Sequence, residues 1–94
     1  MKEIKLLDHQ KEEIITVAKA ISSNTRFMIL KILADEELDI SRLADRLEQT
    51  EANVSAQVKQ LEKANLIASR YEPGEHGVRK ICRTAIKRIS IQIT

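Results

Sequence analysis

The sequence predicts a mainly α domain with a small β-hairpin or sheet (α+β): four N-terminal helices, then a hairpin, then a C-terminal strand. Three observations predict it. Apolar residues recur at helical spacing up to about residue 64 and at alternate positions in the tail. The only Pro and both Gly residues fall at Pro73, Gly74 and Gly77, where a turn is needed. Good helix-capping residues stand in front of each helical stretch.

The first helix is expected over residues 9–22, with Asp8 as its N-cap. Ile14, Ala18 and Ile21 form its stripe, widened by Ile15 and Val17. Ser23 caps a second helix over 24–34. Phe27, Met28, Ile29, Leu30, Ile32 and Leu33 make that helix apolar on nearly every side, which suits the middle of a core. Asp35, Glu36 and Glu37 end it in a polar connection.

Asp39 caps a third helix over 40–47. Its apolar residues Ile40, Leu43, Ala44 and Leu47 follow the amphipathic i, i+3, i+4, i+7 template. Thr50 caps a fourth helix over 51–64, whose buried stripe is Val54, Val58 and Leu61. Asn65 stands where a left-handed C-cap is wanted, and Leu66 follows to make the accompanying apolar contact. Everything before residue 65 is expected to be helix or connection.

The remainder is expected to be extended. A hairpin runs out over 66–72, turns at Pro73-Gly74, and returns over 78–83, with Gly77 as a second permissive position. On the return strand Val78, Lys80 and Cys82 share one face, and Arg79, Ile81 and Arg83 the other. The tail from Ile89 to Ile93 alternates at period two and is expected to be a strand. A short helix over 84–88 is the alternative for the segment before it.

A chain of 94 residues, 43% hydrophobic and 32% charged, makes one domain, residues 1–94. No apolar run approaches a membrane span and no secretory signal opens the chain, so the cytoplasm is the expected compartment. Cys82 is the only cysteine, which excludes an intrachain disulfide framework and a multi-cysteine zinc site. His9 and His76 stand alone, and no catalytic grouping or phosphate-binding Gly-rich loop appears. No enzyme, metal or cofactor is expected. Scarce aromatics (Phe27, Tyr71 and no Trp) argue against base-stacking RNA platforms.

Charge is unevenly distributed. Residues 1–51 carry a net charge of −3 and residues 52–94 a net +5, within a total of +2. An acidic front and a basic back suit a module that presents one face to a polyanion.

The fourth helix sharpens this. Opposite its apolar stripe lie Ala52, Asn53, Ser55, Ala56, Gln57, Lys59 and Gln60. Small residues let a helix sit deep in a major groove, and Asn or Gln can pair bidentately with adenine. Ser55 and Lys59 can reach phosphates or bases. Thr50 stands at the helix N-terminus, where free N–H groups favour a phosphate. The hairpin that follows carries Arg70, Arg79, Lys80 and Arg83, with His76 at its tip, and suits a DNA backbone or minor groove. The expected partner is double-stranded DNA. Ile4, Leu6, Leu7 and Ile14, with Ile89, Ile91 and Ile93, could build a two-fold interface.

Residues 22–30 (SSNTRFMIL) resemble the second-helix opening of ArsR-type winged helix-turn-helix regulators. Leu43-Ala44-Asp45-Arg46-Leu47 resembles their third helix, and residues 51–67 are similar to their recognition helix and its exit. The resemblance covers about residues 10–83. It implies a cytoplasmic, homodimeric transcription regulator that binds operator DNA. Within it, residues 8–22 would be a dimerisation helix, 39–64 the helix-turn-helix and 66–84 the wing; beyond it, where other relatives have a long C-terminal helix, residues 86–93 are expected to form a C-terminal strand. Residues 71–82 look like a wing variant of prokaryotic members, archaeal ones included. Where many relatives carry two metal-binding cysteines, the matching positions hold Asp39 and Ser41. Glu48 stands where relatives often have Gly, and Asn65 replaces another. The same fold could instead serve as a protein-interaction module without specific DNA binding.

Overall fold

The computed structural model describes residues 2–94; Met1 lies outside the described residues. The elements in chain order are β1 (Lys2–Leu6), α1 (Lys11–Ile21), α2 (Asn24–Asp35), β2 (Leu38–Asp39), α3 (Ile40–Leu47), α4 (Glu51–Lys63), β3 (Ile67–Gly74), β4 (Gly77–Thr84) and β5 (Ile86–Ile91).

Three of the four expected N-caps form. The side chains of Ser23, Asp39 and Thr50 accept hydrogen bonds from the backbone N–H groups of Arg26, Arg42 and Asn53, as short polar residues at such positions do. The fourth moves: α1 begins two residues later than expected, with Gln10 rather than Asp8 at its N-cap. The Gln10 amide instead accepts from the Leu7 N–H at 2.8 Å and closes a turn ahead of the helix.

Both helix exits from the central pair of helices are left-handed. Glu48 (φ 55°) ends α3, and Asn65 (φ 61°) follows α4. The Leu66 N–H returns to the Leu61 carbonyl at 3.0 Å, which satisfies a carbonyl the helix leaves open.

Core side chains come from every layer. Ile29, Leu33, Leu43, Val54, Val58, Leu61, Leu66 and Cys82 are the largest fully buried groups. On α1 the buried residues are Val17 and Ala20, with Ile14 and Ile21 packed beside them. The inward stripe is therefore rotated from the expected one, and Ala18 is exposed. Helix α2 is less buried than its composition suggests. Ile29, Leu30 and Leu33 face the core, whereas Phe27 is 51% and Met28 42% exposed.

The strands depart furthest from expectation. β3 and β4 pair antiparallel, and β2 adds a short third strand, in the order β2-β4-β3. Gly74 pairs with Gly77, so the hairpin turns at Glu75-His76 and Pro73-Gly74 belongs to β3. Pro73 is tolerated there because β3 is an edge strand. Gly77 (φ 117°) supplies the conformation that the turn needs, and a Cβ on Gly74 would lie 2.8 Å from the Arg79 stem. Ile81 and Cys82 are both buried although they point to opposite faces of β4; Cys82 belongs to the main core cluster, and Ile81 lies outside it.

Residues 2–6, expected to be helical or irregular, form β1, which pairs in parallel with β5 in a separate two-stranded sheet. The tail strand starts at Ile86, the start expected for the 86–93 strand, and ends two residues earlier, at Ile91; extended pairing replaces the alternative helix at 84–88. Leu6 is buried in the core, and Ile4, Ile14 and Ile89 pack against it. Those four are thereby drawn into the chain's own packing, leaving Leu7, Ile91 and Ile93 exposed.

Candidate nucleic-acid interface

Helix α4 is anchored by Val54, Val58 and Leu61, each fully buried. Helical geometry then turns the residues between them outward. Ala52, Asn53, Ala56, Lys59 and Gln60 are exposed, and Ser55 and Gln57 are partly covered. Thr50, also exposed, is occupied as the N-cap. The small and amide-bearing residues singled out from the sequence thus share one accessible surface.

That surface carries its own hydrogen bonds. Gln57 Nε2 donates to Asn53 Oδ1 at 3.3 Å, and Asn53 Nδ2 donates to Gln49 Oε1. Gln49 Nε2 reaches Thr25 Oγ1 at 3.3 Å, and Arg26 Nη1 donates to Gln57 Oε1 at 2.7 Å. Sequence reasoning missed Thr25, Arg26 and Gln49. The four-residue spacing of Gln49, Asn53 and Gln57 was a visible sign of an amide ladder. The pairing with α2 was not, because it spans more than twenty residues of sequence.

The wing residues lie in a different electrostatic setting. Arg79 pairs with Asp39, with Nε and Nη2 each 2.9 Å from Oδ2. Lys80 Nζ lies 2.7 Å from Glu62, and Arg70 pairs with both Glu37 and Glu72. Burial opposes the Lys80 charge, but the Glu62 carboxylate outweighs it and raises the ammonium pKa. His76 and Arg83 are exposed. The acidic front and basic back of the sequence therefore do not separate cleanly into two faces. Carboxylates from before residue 51 answer Arg70, Arg79 and, through Glu3, Arg88. Lys59, by contrast, has no carboxylate partner among the described residues.

An open groove separates the wing from the first turns of α3 and α4; Ser41, Arg42, Glu51, His76 and Lys80 are among its lining residues. Among the described residues no three His, Cys, Asp or Glu side chains gather as metal ligands. No helix there is long and apolar enough to cross a membrane.

Solved structures share this architecture. Reduced HlyU from Vibrio cholerae is 22% identical, with a TM-score of 0.69 over 82% of this chain and 77% of that one. The repressor BigR from Xylella fastidiosa is 17% identical, with a TM-score of 0.64 over 82% and 74%. A homodimeric winged helix-turn-helix DNA-binding domain from Mycobacterium bovis, described as a possible ArsR-family regulator, is 25% identical. Its TM-score is 0.71 over 82% of this chain and 68% of that one. No curated protein sequence matches the chain. The fold is thus a winged helix-turn-helix, the architecture of transcriptional regulators rather than of enzymes. The family model for bacterial regulatory proteins of the arsR family matches residues 23–69, from the cap of α2 through α3 and α4 into β3, and the chain belongs to that family.

Proposed function

We propose that the chain is a cytoplasmic transcription regulator that binds double-stranded DNA sequence-specifically as a homodimer. Helix α4 enters the major groove, and the wing lies along the backbone or minor groove. The observation that carries this reading is the outward surface of α4, where Ala52, Asn53 and Ala56 are exposed beside Lys59 and Gln60. Small side chains permit close approach, the amides can bond to base edges, and the lysine can neutralise a phosphate.

In this reading Asn53, Ser55, Ala56 and Gln57 meet the bases, while Thr50, Lys59 and Gln60 meet backbone or flanking bases, with Ala52 at the rim. Arg70, His76, Arg79 and Lys80 guide the wing. Residues 39–64 act as the helix-turn-helix and 66–84 as the wing. Residues 8–22 contribute to dimerisation, for which the exposed Ile15 on α1 and the exposed Phe27 and Met28 on α2 offer apolar surface. A homodimer would set two α4 helices about 34 Å apart, one turn of DNA. The homodimeric state of the Mycobacterium bovis domain supports that assembly.

Selection of bound duplexes from a random library tests the proposal. A palindromic consensus, with affinity that falls steeply as salt rises, is expected. A chain that retains no duplex even at low salt would exclude it. A second reading, a winged helix that docks a protein partner, is favoured by one observation: Arg70, Arg79 and Lys80 already have carboxylate partners within the domain.

A further inference from the structure

The hydrogen bonds linking α2, α4 and the turn before α4 form a chain with a single direction. Arg26 donates to Gln57, Gln57 to Asn53, Asn53 to Gln49, and Gln49 to Thr25, the residue beside Arg26. Each amide in the series accepts once and donates once. A carboxamide has two N–H donors and two lone pairs, so Gln57 and Asn53 each keep one donor and one acceptor uncommitted. That is the complement of adenine in the major groove, where N7 accepts and N6–H donates.

A chain of amides alone could run either way. Flipping each amide exchanges its oxygen and nitrogen, and the Thr25 hydroxyl can donate as readily as accept. Arg26 removes that freedom, because a guanidinium only donates. Its own position is fixed independently. Nε donates to the Ala20 carbonyl at 2.7 Å and Nη2 to the Lys19 carbonyl at 3.0 Å, at the end of α1. Its backbone N–H is held by the Ser23 cap at 3.2 Å. The planar fork therefore reaches Gln57 from a rigid base.

We propose that Arg26, outside the recognition helix, is a positioning residue for base readout: it sets the amide orientation of Gln57 and, through it, of Asn53. This rests on the reading of α4 as the DNA-binding element. Gln57 and Asn53 touch the base; Arg26 acts only through them. A lysine at this position keeps the charge, but its single ammonium lacks the fork that serves two α1 carbonyls and Gln57 at once.

The test compares wild type, Arg26→Lys and Thr25→Val by selection from a random duplex library, with affinity for non-specific duplex measured at low salt. Arg26→Lys is expected to hold its non-specific affinity and lower the ratio of specific to non-specific binding by about tenfold, the scale of one lost base contact. Thr25→Val, which removes only the far end of the hydrogen-bond chain, is expected to select the wild-type consensus. An Arg26→Lys variant with wild-type consensus and ratio overturns the proposal. If that variant does not fold, side-chain amide NMR of the wild type decides. Slowly exchanging Gln57 and Asn53 NH2 protons, with contacts from the Arg26 guanidinium to Gln57, support it; a freely exchanging Gln57 amide overturns it. A wild-type chain that enriches no consensus overturns the DNA reading itself, and the role of Arg26 with it.

Discussion

Arg79 on β4 grips the carboxylate of Asp39, the residue that caps α3, through Nε and Nη2 at 2.9 Å. One buried carboxylate thus serves two purposes. Its Oδ1 accepts from the Arg42 N–H at 2.8 Å and starts the helix, while Oδ2 holds the wing against it. Asp39→Ala removes both and leaves Arg79 unpaired, for an expected loss of about 2 kcal/mol. Asp39→Asn keeps a capping oxygen and is expected to lose less than half of that. Urea unfolding of the two variants checks the order.

The same contact predicts an acid limb in the stability profile. The Arg42 backbone N–H, and then Arg79 against the opposing effect of burial, hold the Asp39 carboxyl below the ordinary carboxylate range. A folded-state pKa below the unfolded one means that stability is fully present above about pH 4 and is lost as pH falls through the folded value. In the Asp39→Asn variant that contribution is absent. Its urea midpoint is expected to change less than the wild type's between pH 6 and pH 3, and an equal change would refute the assignment.

Glu48 offers a gain in stability. It is a non-Gly residue at φ 55°, holding the turn between α3 and α4, with the next N–H returning to the Ala44 carbonyl at 3.0 Å. A side chain in this conformation costs about 1–2 kcal/mol, which Gly avoids. Glu48→Gly is therefore expected to stabilise by about 1 kcal/mol, because part of the gain is offset by greater freedom in the unfolded chain. A thermal melt reads this directly. A lower Tm would mean that the Glu48 side chain contributes more than its backbone conformation costs.

What was legible in the sequence was local. The caps Ser23, Asp39 and Thr50, and the left-handed Asn65, follow from short-range chemistry and stand where expected; position 48 was marked only by the Gly its relatives often carry, and its φ of 55° accounts for that Gly. The strand β1 was not legible, because its partner is the tail: Ile4 pairs with Ile89 and Leu6 with Ile91. Five residues with charges at Lys2, Glu3 and Lys5 carry little strand signal alone, and long-range pairing supplies the rest. The hairpin turn was misplaced because Pro73-Gly74 is a strong turn dipeptide, yet an open strand edge accepts it. At the interface, the identity of the α4 surface was legible from residue types. Which cations were already paired was not, since Glu37 and Asp39 meet Arg70 and Arg79 only through the sheet.

The pairing pattern separates two lysine and arginine variants that composition alone treats alike. Lys59 is exposed and unpaired among the described residues, whereas Arg79 is tied to Asp39. Lys59→Ala is expected to weaken binding to all duplex sequences and reduce the magnitude of the log-affinity versus log-salt slope by about one unit. Arg79→Ala also weakens binding, but it lowers thermal stability with it, because the buried Asp39 then keeps only the longer 3.8 Å contact with the Arg42 guanidinium. Salt titrations beside thermal melts distinguish the two. Equal losses of stability in both variants would show that the Arg79–Asp39 contact does not brace the wing.

Cys82 tests whether a thiol could regulate this domain. Its side chain is fully buried in the core, and burial pushes its pKa up, against a hydrogen bond from Ser69 Oγ to Sγ at 3.6 Å. Reactive thiols are partly exposed and have lowered pKa values, so this one has the opposite environment. A thiol reagent is expected to modify the folded chain no faster than the chain opens, and completely in denaturant. Brief oxidant exposure should therefore leave duplex affinity unchanged, and Cys82→Ala should bind DNA as the wild type does while losing about 1 kcal/mol of stability from the vacated volume. Rapid modification of the native protein, accompanied by a change in DNA affinity that Cys82→Ala abolishes, would instead establish a redox-responsive regulator.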